Sequence, residues 1–335
     1  MSEQGSYVRA GVSQRHADAA VEALVRSLKL IDTGKPSRVV PLPNHYASVL
    51  RIDERMGVAF ATDGVGTKML VAELMGDFST IGIDCIAMNV NDLVCVGAEP
   101  IALLDFILCR EANPEVCGAI GVGLRRGAEL AGVEIPGGEI AQVGDVISGI
   151  ELSGSAIGLV GLDAIVDGGR VEPGDAIIGL PSTGLHSNGY TLARRVLLDQ
   201  LELSDDRLGR PLGEVLLEPT EIYVRPVLEL LASPVDVRGL AHITGDGLNN
   251  LTRLAAPVGY EISDPLDVPV VFDLIAELGD VGDDEMYEVF NMGCGFVCVV
   301  GGDDEAAALE LLRRHYPTAK RIGTVTDRAG VVERR

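Results

Sequence analysis

Short apolar runs alternate along the chain with stretches of helical period, the pattern of an α/β protein. An amphipathic helix is predicted near 16–31, and an apolar strand near 57–62 runs into Asp63. A helix near 79–97, a strand over Ile101–Leu108 and a helix near 113–131 follow. A strand then enters Gly137–Glu139, and another lies near 151–161. Turn residues at Asp167-Gly168-Gly169 and Glu172-Pro173-Gly174 break the pattern and divide the chain into 1–165 and 166–335. The second half predicts a strand over Ala176–Leu180 and helices near 190–201, 219–232, 247–254 and 304–315, with strands near 268–272 and 293–300. No short-period repeat is present.

The helix near 79–97 carries an unusual polar stripe. At 100° per residue Asp84 and Asn91 fall almost on one line with Asp92 beside them, while Ile81, Ile86, Leu93 and Val94 occupy other faces. Polar groups in so apolar a helix must be paired or must hold an ion. Upstream, Asp63 leads into a turn through Gly64 and Gly66 that delivers Thr67 and Lys68. Free backbone N–H groups, a hydroxyl and an ammonium suit an anion, and the carboxylate suits a cation. The spacing is not that of a Walker P-loop. Together the two segments predict phosphate and magnesium. Asp84 and Asn91 fit either ligand contacts or a satisfied buried network, and Asp105 in the strand Leu103-Leu104-Asp105-Phe106 is similar.

Composition narrows the class. A chain of 335 residues exceeds one typical core and suits two domains. Its net charge of −23 argues against a nucleic-acid partner, since no basic run is segregated. No apolar run reaches the roughly 18–20 residues that span a bilayer, and the N-terminus lacks the apolar core of a secretory signal, so a cytoplasmic protein without a membrane partner is expected. The six cysteines have no metal-ligand spacing and read as small buried thiols. Lysine occurs only at 29, 35, 68 and 320, which sets Lys68 apart.

Further segments carry a family resemblance. They are ATDGVGTKML (61–70), TIGIDCIAMNVNDLVCVGAEP (80–100), GGE (137–139), GLHSNGYTLARR (184–195), EPTEIYV (218–224), AHITGDGL (241–248) and DDEMYEVFNMGCG (283–295). In this order and spacing the chain resembles the aminoimidazole ribonucleotide synthetase, or phosphoribosylformylglycinamidine cyclo-ligase, family. The resemblance implies two α/β domains, with the N-terminal domain pairing across a homodimer into a β-barrel and a nucleotide cleft near that interface. It also implies ATP-dependent closure of the imidazole ring of a formylglycinamidine ribonucleotide in purine biosynthesis. ATP would phosphorylate the formyl oxygen to an iminophosphate; a substrate nitrogen would then attack that carbon and expel phosphate.

Within that chemistry Asp63, Asp92 and Glu139 form the expected magnesium set, because hard oxygens suit a hard ion shared with phosphates. Gly64, Gly66, Thr67, Lys68, Asn91 and Asp105 join them as nucleotide contacts, with Lys68 stabilising the transferred phosphoryl group and Asp84 in catalysis. His186, Ser187 and Asn188, in a glycine-flanked loop rich in donors, are expected to bind substrate, with His186 alternatively a general acid or base. His242 precedes a second glycine turn, Thr244, Gly245 and Gly247, which leads into a helix and suits an anion. His16, His45 and His315 have no supporting context.

The chain departs from the family pattern at several places. Tyr7-Val8-Arg9-Ala10-Gly11-Val12-Ser13 lacks the lysine and aspartates usual there, 36–50 has no glycine, Ile140–Asp145 replaces a threonine- and acid-containing segment, and Asp246 stands where relatives often have glycine. Two alternative readings follow: a superfamily paralogue acting on another acceptor, or a nucleotide-binding subunit without catalysis.

Overall fold

The computed structural model describes residues 14–335, so the departure at Tyr7–Ser13 lies outside the described residues. The described residues form two six-stranded sheets. The first has the order β1-β2-β3-β6-β4-β5, with β1 Val39–Val40, β2 Ser48–Arg51, β3 Met56–Gly64, β4 Glu99–Cys109, β5 Glu134–Gln142 and β6 Ile150–Gly161. All its pairings are antiparallel except β4 with β5, which the long helical crossover between them makes parallel. The second has the order β12-β9-β11-β7-β10-β8, with β7 Ala176–Pro181, β8 Val237–His242, β9 Gly259–Ile262, β10 Cys294–Val300, β11 Lys320–Thr326 and β12 Val332–Arg334.

Helix α1 (Gln14–Leu28) precedes the first sheet, and its apolar residues Val21, Leu24 and Leu28 are exposed. Helix α2 (Met69–Met75) follows the glycine turn. Helices α3 (Ile81–Cys95) and α4 (Pro114–Ala131) pack together, α3 lying across the inner face of β3 and β6. The start of α4 is fixed by Asn113, whose Oδ1 accepts from the N–H groups of Glu115 (2.8 Å) and Val116 (3.3 Å), with Pro114 at the first helical position. In the second half α5 (Tyr190–Leu198), α6 (Leu212–Leu216), α7 (Val224–Leu231), α8 (Val270–Gly279), α9 (Asp283–Val289) and α10 (Glu305–Leu312) surround the other sheet.

Helix α3 is buried almost all round because it is shared. Ile81, Ile86 and Leu93 belong to the core of the first sheet, whereas Val94 and Cys95 pack into the core of the second. Two expectations need correction. The run near 268–272 is not a strand: Pro269 caps α8, whose Val271, Phe272 and Ile275 repeat at helical spacing once the window extends to Gly279. The helix expected from 219 begins only at Val224, because 218–223 is held out of helix against α3 by side chains described below.

Among the described residues nothing covers the outer face of the first sheet. Leu50, Phe60, Leu104, Phe106 and Leu159 alternate with the buried residues of their strands and are each more than a third exposed.

Candidate active site at the seam between the halves

The polar stripe of α3 holds the second half of the chain. Lys68, Asp84 and Asn91 are wholly buried. Lys68 Nζ lies 2.8 Å from Asp84 Oδ1 and donates to the carbonyls of His186 (3.1 Å) and Glu218 (2.6 Å). That uses all three ammonium protons. Asp84 Oδ1 also accepts from the Thr220 N–H (2.8 Å), the Thr220 hydroxyl (2.7 Å) and the Ser187 hydroxyl (3.2 Å). One turn pair further on, Asn91 Oδ1 accepts from the Tyr223 N–H (2.9 Å), and its Nδ2 donates to the Glu221 carbonyl (2.9 Å). These residues therefore clamp 218–223 and the loop at 186–187 onto α3. Of the two readings open for Asp84 and Asn91, the geometry of Asn91 matches a satisfied network, whereas Asp84 gathers all its donors on Oδ1 and its buried Oδ2 has no partner among the described residues. Lys68, expected at a phosphoryl group, instead has every N–H engaged inside the protein. Burial pulls its ammonium below the usual lysine range, and the Asp84 carboxylate opposes that pull.

The glycine turn is occupied as well. The Gly64 N–H donates to Asp63 Oδ1 (2.7 Å), the Val65 N–H to the Leu152 carbonyl (2.9 Å) and the Gly66 N–H to Glu151 Oε1 (3.0 Å). Of the turn's N–H groups, that of Gly66 meets a carboxyl from another strand, Glu151 of β6. Burial raises the Glu151 carboxyl above its ordinary range, opposed by the Gly66 N–H and reinforced by Asp63. Sequence reasoning missed Glu151, which sits without a motif in the strand Ile150–Gly161. Thr67 meets Thr191 at the start of α5, hydroxyl to hydroxyl at 3.3 Å.

Asp63 lies against α3: its carbonyl accepts from Asn89 Nδ2 (3.2 Å), three residues before Asp92 on the same helix. Burial raises the Asp63 carboxyl; the Gly64 N–H lowers it, the Asp92 charge raises it, and His242 and Arg253 lower it. Asp92 Oδ1 lies 2.9 Å from His242 Nδ1. The other ring nitrogen, Nε2, faces Asn91 Nδ2 at 3.5 Å. Because Asn91 Oδ1 is committed to a backbone N–H, its amino group points at His242, so Nε2 accepts and Nδ1 carries the proton given to Asp92.

Glu139 stands apart. Strand register aligns Asp63, Gly154, Asp105 and Gly138 in one row on the helix-covered face, while Glu139 shares the next row with Phe106 and Ser153, on the outer face. Three strand spacings of about 4.8 Å put it about 14 Å from β3. Its Oε1 accepts only from the neighbouring Ile140 N–H (3.0 Å). Among the described residues no three His, Cys, Asp or Glu side chains lie close enough to hold a metal unaided. The glycines of Gly-Gly-Glu serve a neighbour instead: a Cβ on Gly138 would sit 2.3 Å from Asp105 Oδ1. Burial raises the Asp105 carboxyl.

The two donor-rich loops meet, but not through His186. His186, at φ +63°, is buried, and its Nε2 accepts from the Thr183 N–H (3.2 Å), which leaves Nδ1 as an unpartnered N–H. Burial holds the ring well below the ordinary histidine range, and His242 and Lys68 add to the effect. It is a packed, neutral ring. Asn188, partly exposed, lies beside Gly245, where a Cβ would stand 3.8 Å from Asn188 Oδ1. Thr244 and Gly245 are shaped by buried Asn250, whose Oδ1 accepts from the Thr244 N–H (2.8 Å) and whose Nδ2 donates to the Gly245 carbonyl (3.0 Å). Gly247 (φ +55°) sits so close to α9 that a Cβ would be 2.0 Å from the Tyr287 carbonyl.

His45, in the glycine-free segment 36–50, is the second residue the sequence left unmarked. It packs against Tyr46, whose hydroxyl donates to the Asn250 carbonyl (3.2 Å), so this segment is docked on the second half. Burial lowers the His45 pKa to about 4, with Asp167 raising it and Arg253 lowering it.

Fold and site define a two-domain α/β protein whose halves are joined by a buried polar network along α3. The chain belongs to the AIR synthase related protein family: the model of the N-terminal domain matches residues 44–160 and that of the C-terminal domain residues 172–334. It is 47% identical over 333 residues to the phosphoribosylformylglycinamidine cyclo-ligase of Methanothermobacter thermautotrophicus, covering 98% of this chain and 96% of that one. The cyclo-ligase of Pyrococcus furiosus is 45% identical over 333 residues, covering 98% and 97%. Among solved structures, hydrogenase maturation protein HypE in complex with ATP shares the fold (TM-score 0.63, 23% identity, 85% of this chain and 84% of that chain). So does AaThiL complexed with AMPPCP and TMP (TM-score 0.65, 16% identity, 93% and 92%).

Proposed function

We infer that this chain is an ATP-dependent cyclo-ligase that closes formylglycinamidine ribonucleotide to aminoimidazole ribonucleotide in purine biosynthesis, releasing ADP and phosphate. The observation that carries the reading is full-length identity of about half to cyclo-ligases, joined to an Asp92 of the first half held by His242 of the second. Phosphoryl transfer to the formyl oxygen asks a protein for position and positive charge rather than covalent work. Attack by the amidine nitrogen on the same carbon then forms the C–N bond, expels phosphate and loses a proton.

Asp63 and Asp92 suit magnesium. Two carboxylates on separate elements repel one another unless a cation lies between them, and magnesium takes few protein ligands when phosphates and water supply the rest. Bound there, it would neutralise charge on the transferring phosphoryl group. His242 orients Asp92 through its Nδ1 proton. Lys68, Asp84 and Asn91 are positioning residues that keep 186–188 and 218–223 against α3. Asn188, Thr244 and Gly245 are the contacts left for substrate where the two loops meet.

The uncovered sheet face around Leu104 and Phe106 suits a homodimer that buries it, with the two N-terminal sheets facing one another. Equal yields of ADP and aminoimidazole ribonucleotide from purified protein test the catalytic reading. Conversion of a dimer to a monomer by Phe106→Glu tests the assembly.

A further inference from the structure

Arg253 ends the 3-10 helix Gly247–Arg253 with its guanidinium 4.9 Å from the centre of the Tyr46 ring. Stacking of this kind fixes the side chain and leaves its N–H fork free along the edge. Arg253 makes no ion pair among the described residues, in a chain whose net charge is −23. A cation left unpaired amid such an acid excess is available to a ligand.

Its surroundings are built. Tyr46 is buried and anchored through its hydroxyl to the Asn250 carbonyl, while the Asn250 side chain shapes Thr244–Gly245. Beside the guanidinium lies a groove of about 260 Å³ lined by Asp246, Asn249, Asn250, Thr252, Arg253 and Glu288. Arg253 is also within electrostatic reach of Asp63. The groove adjoins the loop at the seam, because Asn250, which lines it, also holds Thr244 and Gly245. Asp246 and Glu288 disfavour a bare anion, so the ligand must offer hydroxyl donors as well as negative charge. A sugar phosphate offers both.

We propose that Arg253, held by Tyr46, binds the phosphomonoester of the ribonucleotide substrate in this groove. The proposal rests on the cyclo-ligase reading for the identity of the substrate. The binding of a sugar phosphate can be measured without turnover.

Calorimetric titration with ribose 5-phosphate, inorganic phosphate and ATP tests it directly. The wild-type protein should bind ribose 5-phosphate more tightly than inorganic phosphate. Arg253→Ala should weaken ribose 5-phosphate at least about tenfold and leave ATP within about twofold, the loss expected of one charge-assisted contact. Arg253→Lys, which keeps the charge if the alanine variant folds poorly, should fall between. Tyr46→Ala should resemble Arg253→Ala, whereas Tyr46→Phe, which keeps the ring, should resemble wild type. In turnover, KM for the amidine substrate should rise at least about tenfold with kcat changed less than about threefold. Ribose 5-phosphate that fails to bind wild type, or binds Arg253→Ala equally well, overturns the proposal. So does a variant in which ATP affinity falls instead. If ribose 5-phosphate binding depends on Arg253 while no imidazole forms, the subsite stands and the cyclo-ligase reading fails.

Discussion

Lys68 and Asp84 form an ion pair from which water is wholly excluded, Nζ 2.8 Å from Oδ1, and each partner also grips a segment of the other half of the chain. A lysine after a glycine turn would ordinarily suggest a phosphate contact. Here its charge and all its protons face inward, which makes it a bolt between the halves. Removing one member of such a pair strands a buried charge.

Lys68→Met should therefore lower unfolding free energy by about 3–5 kcal/mol. The double variant with Asp84→Asn should lose less than the Lys68→Met single variant, because no unpaired carboxylate remains. Urea denaturation of both variants checks this. A lysine acting only on phosphate would instead lose turnover with stability intact.

The metal set expected from sequence and the pair proposed above differ by one residue. Asp92→Asn should raise the magnesium concentration for half-maximal activity by about tenfold or more, and Glu139→Gln should leave it within about threefold. Magnesium titrations of the two variants at saturating ATP separate the arrangements. An equal effect of both substitutions would restore Glu139 to the metal.

Gly247 has room for no side chain, since its Cβ would lie 2.0 Å from the Tyr287 carbonyl at a positive φ. Gly247→Ala should cost about 2 kcal/mol or more of stability and displace Thr244–Gly245 from the seam. Thermal unfolding and KM for the substrate both read this out. Gly245→Ala, where the nearest atom is 3.8 Å away, should cost far less stability.

His45 gives the fold a pH dependence of known sign. Its folded pKa of about 4 lies below the ordinary histidine value, because burial disfavours the charged ring. Between roughly pH 6.5 and 4 the unfolded chain binds a proton the folded chain refuses, so stability falls as pH drops through that window. Moving from pH 7 to pH 5 should shift the stability difference between His45→Gln and wild type by about 1–2 kcal/mol in favour of the variant. Paired urea titrations at the two pH values measure it.

How much of this was legible beforehand depends on what each signal reports. Period and turn chemistry located β3, α3, β4, α4 and β6, because each has a continuous apolar face with Gly, Pro or Asn at its ends. They failed at Val270–Gly279, where a β-branched run opens a helix, and at 218–223, where partners rather than propensity keep the chain out of helix. The stripe of Asp84, Asn91 and Asp92 announced buried polar partners. It could not say whether those partners were a ligand or the backbone of residues 130 or so positions away. Glu139 was misplaced for a related reason. A one-residue step along a strand reverses the face, and which face Gly-Gly-Glu presents is decided by pairing with β4. Arg253 and Tyr46 gave no local signal, since their contact joins residues on different halves.

The most direct test of the account is the product balance of purified protein given ATP, magnesium and formylglycinamidine ribonucleotide, with ADP and aminoimidazole ribonucleotide followed together. Equal amounts of the two are expected, and Asp92→Asn should diminish both in parallel. ADP released without imidazole, or ATP bound with neither product formed, would contradict the cyclo-ligase reading.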